Sequence, residues 1–228
     1  MKNESRNVTV RRLTFSAIMI ALATCLALVC SLIPFLNLPF GGGFTIASML
    51  PIVIVSYMYG VKHGLFTAFV YSVIQMVLDL MLGSSSTIIA LFLPDSGMAL
   101  ISAILICLID YVAAYTLLGL GGVFRHKFKS KTTALALGTL IALALRYLMH
   151  IISGFIFYGS YAEWFFTQEG FYKIGGFILD HTSGTLLALI YSIFYNGLYM
   201  IPEIIITVIA AVIVSRLPQI KPVDEIKA

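Results

Sequence analysis

Residues 132–159 read TTALALGTLIALALRYLMHIISGFIFYG, and this stretch decides the fold. At about 1.5 Å per residue, one helix of this length crosses the roughly 30 Å hydrocarbon core of a bilayer. Three polar side chains, Arg146, His150 and Tyr158, interrupt the apolar run. A charge at the bilayer centre costs about 3 kcal/mol on insertion scales, so such residues ordinarily face a cavity or a ligand. Their spacings of four and eight place all three along one face of the helix.

The rest of the chain has the same character. Of 228 residues, 60% are apolar and 11% charged, and the mean hydropathy is +1.02. A soluble domain carries about 25% charge. The apolar runs are too long and continuous for barrel strands, which leaves a bundle of membrane-spanning helices. Six spans are expected: Leu13–Pro34, Thr45–Met58 (short), Gly64–Leu82, Met98–Phe124, Thr132–Gly159 and Thr185–Ser215. The stretch Gly83–Gly97 is turn-rich, with an apolar patch, Ile88–Leu93, suited to the membrane interface. The loop Ser160–Gly184 carries Trp164 and several other aromatics. There is no convincing repeat, low-complexity segment or linker, so residues 1–228 read as one all-α membrane domain. The basic, then apolar, N-terminus superficially fits a secretion signal. The run is too long for one, lacks a clear small-residue cleavage site and is followed by further spans, so it reads as a retained first helix. Cys25, Cys30 and Cys107 lie inside apolar runs without a CxxC pattern and read as small buried side chains.

Lysine and arginine placement sets the orientation. Lys2, Arg6, Arg11 and Arg12 precede the first span, Lys62 follows the second, and Arg125, Lys127, Lys129 and Lys131 follow the fourth. Arg216, Lys221 and Lys227 follow the sixth. Twelve of the fourteen basic residues thus fall on one side, which predicts two cytoplasmic termini and agrees with an even number of spans. Lys173 stands alone opposite them, among Asp95, Glu163, Glu169 and Asp180. The net charge of +4 therefore reports topology and gives no sign of nucleic-acid binding.

With that orientation, His150 lies about 13 Å below the outer end of its span and Asp110 about 18 Å down the preceding one. Tyr111 follows Asp110, and Tyr191 and Asn196 fall in the first third of the last span. A carboxylate, an imidazole, an amide and several phenols thus converge in the outer half of the bilayer, as a pocket open to the outside. Tyrosine faces attract cations and stack on flat rings, Asp110 supplies a counter-charge, and His150 and Asn196 can hydrogen-bond a heterocycle. A small, flat, cationic or amino-substituted heterocycle suits such a site. Two other readings use the same residues. Asp110 could pair with Arg146 and only join helices, or Asp110 and His150 could be the acid and base of a membrane enzyme. No metal-ligand spacing, GxSxG turn or Walker A pattern is present, so no metal or cofactor is expected, and any ATPase must be a separate protein.

Several segments carry a family resemblance. They are Gly41–Pro51 (GGGFTIASMLP), Tyr59–Leu65 (YGVKHGL), Asp110-Tyr111, Arg146–Gly154 running on to Phe157–Ser160, Tyr191–Asn196 (YSIFYN) and Tyr199–Pro202 (YMIP). Together the chain resembles the thiamine-specific substrate-binding (S) components of energy-coupling-factor (ECF) vitamin transporters. The resemblance implies six helices, cytoplasmic termini and an outer pocket that takes thiamine or a related small molecule. It implies ligand contacts from Asp110, Tyr111, Arg146, His150, Tyr158, Tyr191 and Asn196. Asp110 stands where the family often has glutamate, and Tyr158 where it often has tryptophan. The first loop, which closes over the ligand in the family, offers Leu36, Asn37 and Phe40 here but no tryptophan. The stretches 84–97 and 160–184 are longer than usual for the family, which leaves open a thiamine precursor or a phosphorylated form; the second could supply a lid or lie on the membrane. By the same resemblance, Ala17 and Ala21 on the first helix would dock a membrane-embedded coupling subunit that works with ATPase subunits. Small residues four apart allow such close approach, although the spacing alone equally suits packing within this chain.

Overall fold

A computed structural model describes residues 2–36, 43–81 and 86–223. Among them, besides short 3-10 turns, are nine helices and no strand: α1 (Lys2–Ser31), α2 (Leu50–Tyr59), α3 (Val61–Met81), α4 (Thr87–Phe92), α5 (Leu100–Gly122), α6 (Lys131–Phe157), α7 (Ala162–Phe166), α8 (Tyr172–His181) and α9 (Gly184–Val214). Asn37 and Phe40 of the first loop lie outside the described residues. The basic N-terminal flank is helical too, since α1 begins at Lys2 and not near Leu13.

Five stretches are long and apolar enough to cross a membrane: Val8–Ser31 within α1, and the whole of α3, α5, α6 and α9. The expected second span resolves differently. Residues 43–49 are irregular, and only Leu50–Tyr59 is helical. Ten residues rise only about 15 Å, half of a hydrocarbon core. Every residue from Met49 to Met58 is buried, and a helix apolar all round is one enclosed on all sides. Its side chains pack against α1, α3, α6, α9 and the end of α5. The irregular backbone before α2 includes Ala47 in the left-handed region (φ 56°).

Glycines set the approach of the helices around α2. At its end α5 tightens into a 3-10 turn, Leu117–Gly122, whose Gly119 and Gly122 lie against α3 and α2. Ser56 clasps this turn, donating to the Gly119 carbonyl and accepting from the Gly122 N–H at 2.9 Å. Gly138 of α6 sits on the Gly121 carbonyl so closely that any Cβ would overlap it. Gly138→Val is therefore expected to lower stability by about 3 kcal/mol, read as a lower thermal unfolding midpoint in detergent.

The two ends of the bundle differ. At one, Phe15, Tyr59, Phe124, Ala134, Ala211 and Ile220 share a cluster, and Lys131 Nζ donates to the Leu217 carbonyl at 3.0 Å. The basic segments 124–131 and 216–221 thus meet there. The other end holds a cavity. Around it, the apolar patch Ile88–Leu93 is split between two faces: Ile88 and Leu91 of α4 pack on Ala103, Ile106 and Cys107, while Phe92 and Leu93 stay exposed. Asp79 of α3 fixes the start of α4, accepting from Ser86 Oγ at 2.6 Å and the Ile88 N–H at 2.8 Å.

Helix α1 separates its two alanine pairs. Ala23 is buried in the core and Ala27 lines the cavity, whereas Ala17 and Ala21 lie on the exposed face. Cys30 and Cys107 are buried as expected, but Cys25 is exposed, because it falls on that same outward face.

Candidate binding site

All seven residues singled out from the sequence line one cavity of about 1410 Å³. Asp110 and Tyr111 come from α5, where residues Cys107–Ala113 widen into a π-helical segment. Such bulges change which residues share a face and are frequent at functional sites. Here Ile106, Asp110, Tyr111 and Tyr115 all face the cavity.

The centre of the site is a carboxylate–imidazole pair. Asp110 Oδ1 lies 2.8 Å from His150 Nδ1, and Asp110 Oδ2 accepts from Ser153 Oγ at 2.6 Å. With Nδ1–H given to the carboxylate, Nε2 carries the lone pair. Nε2 is buried and has no hydrogen-bond partner among the described residues. His150 itself lines the cavity, and this acceptor is buried within it. A buried polar atom of this kind costs roughly 1–3 kcal/mol unless something satisfies it.

Arg146 does not pair with Asp110, so the purely structural reading of those two charges fails. Its guanidinium lies over the Tyr115 ring, 4.4 Å from the centroid, and donates to Met49 Sδ at 2.9 Å. Among the described residues it makes no ion pair, and its Nε has no hydrogen-bond acceptor.

Part of the cavity wall is aromatic. Tyr158, at the end of α6, and Tyr191 and Tyr195, on α9, line it together with Tyr161 and Trp164. Phe165 locks this wall from behind, with ring centroids 5.3 Å from Tyr191 and 5.7 Å from Tyr195. A carboxylate, an imidazole and several phenols around one cavity suit a flat, cationic, amino-bearing ring.

Residues 17–164 match the model of the family described as thiamine transporter protein. The chain belongs to the thiamine transporter protein family. It is 29% identical to the thiamine transporter ThiT of Bacillus subtilis (strain 168), an alignment covering 91% of this chain and 90% of that protein. The fold resembles that of ThiT from Listeria monocytogenes, with a TM-score of 0.58 and 19% identity, over 91% of this chain and 94% of that one. As a member of the thiamine transporter family it is a multi-pass protein of the cell membrane and not an enzyme, so the acid–base reading of Asp110 and His150 falls away.

Within this family member, Asn196 is occupied by the protein itself. Its Nδ2 donates to the His150 carbonyl at 3.1 Å and the Ser192 carbonyl at 2.9 Å, and its Oδ1 accepts from Tyr199 at 2.6 Å. It thus fixes the backbone of His150 to α9. Gly154 permits this contact, since a Cβ there would collide with Ser192. Leu36, expected on the lid, is buried, while Phe44 and Thr45 of the same loop line the cavity.

Sequence reasoning missed Glu203. It is fully buried, at 0% exposure, one residue after Pro202 in the middle of α9. Both carboxylate oxygens accept from Thr45, from its N–H at 2.7 Å and its Oγ1 at 2.6 Å. A lone acid deep in a span was the available signal. Tyr115 and Tyr199 were also passed over; a tyrosine in an apolar run does not announce a cavity.

Proposed function

We propose that this chain is the membrane-embedded S component that captures thiamine from outside the cell and hands it to an ATP-driven ECF module. The observation that carries this reading is the Asp110–His150 pair, which lines one cavity together with Tyr111, Tyr158 and Tyr191. The exocyclic amino group of an aminopyrimidine would donate to Nε2. The cationic ring of thiamine would lie near the Asp110 carboxylate and against Tyr111, Tyr158 and Tyr191. Asn196 positions His150, and Arg146 holds the floor through Tyr115.

The same reading places both termini in the cytoplasm and counts six passes, the second made by residues 43–59 inside the bundle. Clustering of the basic segments at one end, away from the cavity, supports it. Ala17 and Ala21, facing outward on α1, would dock the coupling subunit. Ala17→Leu with Ala21→Leu is then expected to reduce thiamine uptake by cells at least about tenfold while leaving thiamine binding by the purified protein unchanged. A loss of binding along with uptake would place these alanines in the fold.

Calorimetric titration of the purified protein with thiamine tests the function directly. Saturation at one thiamine per chain is expected, and no saturation at millimolar thiamine contradicts the reading. Arg146, buried at the cavity without an ion pair, favours a second ligand form, a thiamine phosphate. Competition against bound thiamine ranks the two.

A further inference from the structure

We propose that Trp164, with Tyr161, forms the outer cover of the ligand, built from the 160–184 loop. This rests on the thiamine reading and names which residues close the site from above.

Spacing puts the rings in place. Tyr158, Tyr161 and Trp164 are three residues apart, and Gly159–Tyr161 is a 3-10 turn. The turn leads straight into α7, which carries Trp164, so the three rings follow one another from the end of α6. The Tyr158 and Tyr161 centroids are 6.3 Å apart, and all three side chains line the cavity.

Packing makes this segment rigid. Ala162, Phe165 and Phe166 occupy the other face of α7 at the helical i, i+3, i+4 spacing, and each is buried. Phe165 stacks at 4.5 Å on Phe171, and Phe166 meets Phe194 of α9 at 5.9 Å. Gly159 seats the turn on α9, where a Cβ would come within 2.8 Å of Ala188 Cβ. One face of the loop is thus anchored to α9, and the other presents Tyr161, 48% exposed, and Trp164, 44% exposed, to the cavity. Rings half-exposed at a cavity while their neighbours are held fast are rings prepared to be covered by a guest. Tryptophan is the side chain that binds a cation most strongly through its face.

Trp164 is the sole tryptophan of the chain, so its emission reports this position alone. Thiamine is expected to change that emission saturably in the wild type. The Kd is expected to rise roughly tenfold in Trp164→Ala and to stay within about threefold in Trp164→Phe. Phe177→Ala is the control, because Phe177 sits on the same loop, stacks on His181 and does not line the cavity. Wild-type protein that binds thiamine by calorimetry, with unaltered emission and with Trp164→Ala at wild-type affinity, overturns this inference and leaves the function standing. Wild-type protein that binds no thiamine overturns both. If Trp164→Ala does not fold, the wild-type emission and Trp164→Phe still decide.

Discussion

His150→Ala is expected to weaken thiamine binding by at least about 100-fold, near 3 kcal/mol, because it removes the imidazole that Asp110 orients at the cavity. Binding measured by calorimetry in detergent checks this, and an unchanged thermal midpoint separates lost contact from lost fold. Asp110→Asn should act almost as strongly by a different route. The carboxylate now accepts from His150 Nδ1 and from Ser153 Oγ. An amide in its place can donate to Nδ1, which moves the ring proton to Nε2. The acceptor then becomes a donor facing another donor, and the counter-charge for a cationic ring is lost as well. Asp110→Glu keeps charge and tautomer, so it should retain most of the affinity. Equal losses in Asn and Glu variants would point to size as the decisive property.

Glu203→Ala carries the second large effect, expected to destabilise the protein by about 1–3 kcal/mol, as leaving buried donors without their acceptor does. Two donors of Thr45 would lose their acceptor in the interior. Thr45 also lines the cavity, so the surviving folded fraction should bind thiamine more weakly. Glu203→Gln retains one acceptor and should cost less than half as much. Thermal unfolding with and without thiamine checks both variants. An Ala variant as stable as the wild type would show that the Thr45 contact is not needed to hold the loop.

What the sequence disclosed follows from what is local. Helical periodicity and depth along a span depend on neighbours, so Arg146, His150 and Tyr158 were placed on one face, and all seven chosen residues meet in one cavity. Contacts between distant segments were not disclosed. Glu203 and Thr45 are 158 positions apart, and nothing in either stretch names the other. Enclosure of α2 is equally non-local: ten apolar residues read as a short span until their neighbours are known. The π-helical segment around Asp110 has no compositional mark. The pairing of Asp110 with His150, not Arg146, depends on that segment's register and on Ser153 standing three residues further along α6.

An experimental structure with thiamine bound tests the central claim most directly. The aminopyrimidine amino group is expected within hydrogen-bond distance of His150 Nε2, with the cationic ring stacked among Tyr158, Tyr191 and Trp164. Thiamine held elsewhere in the protein, with His150 Nε2 still facing no ligand atom, would contradict it.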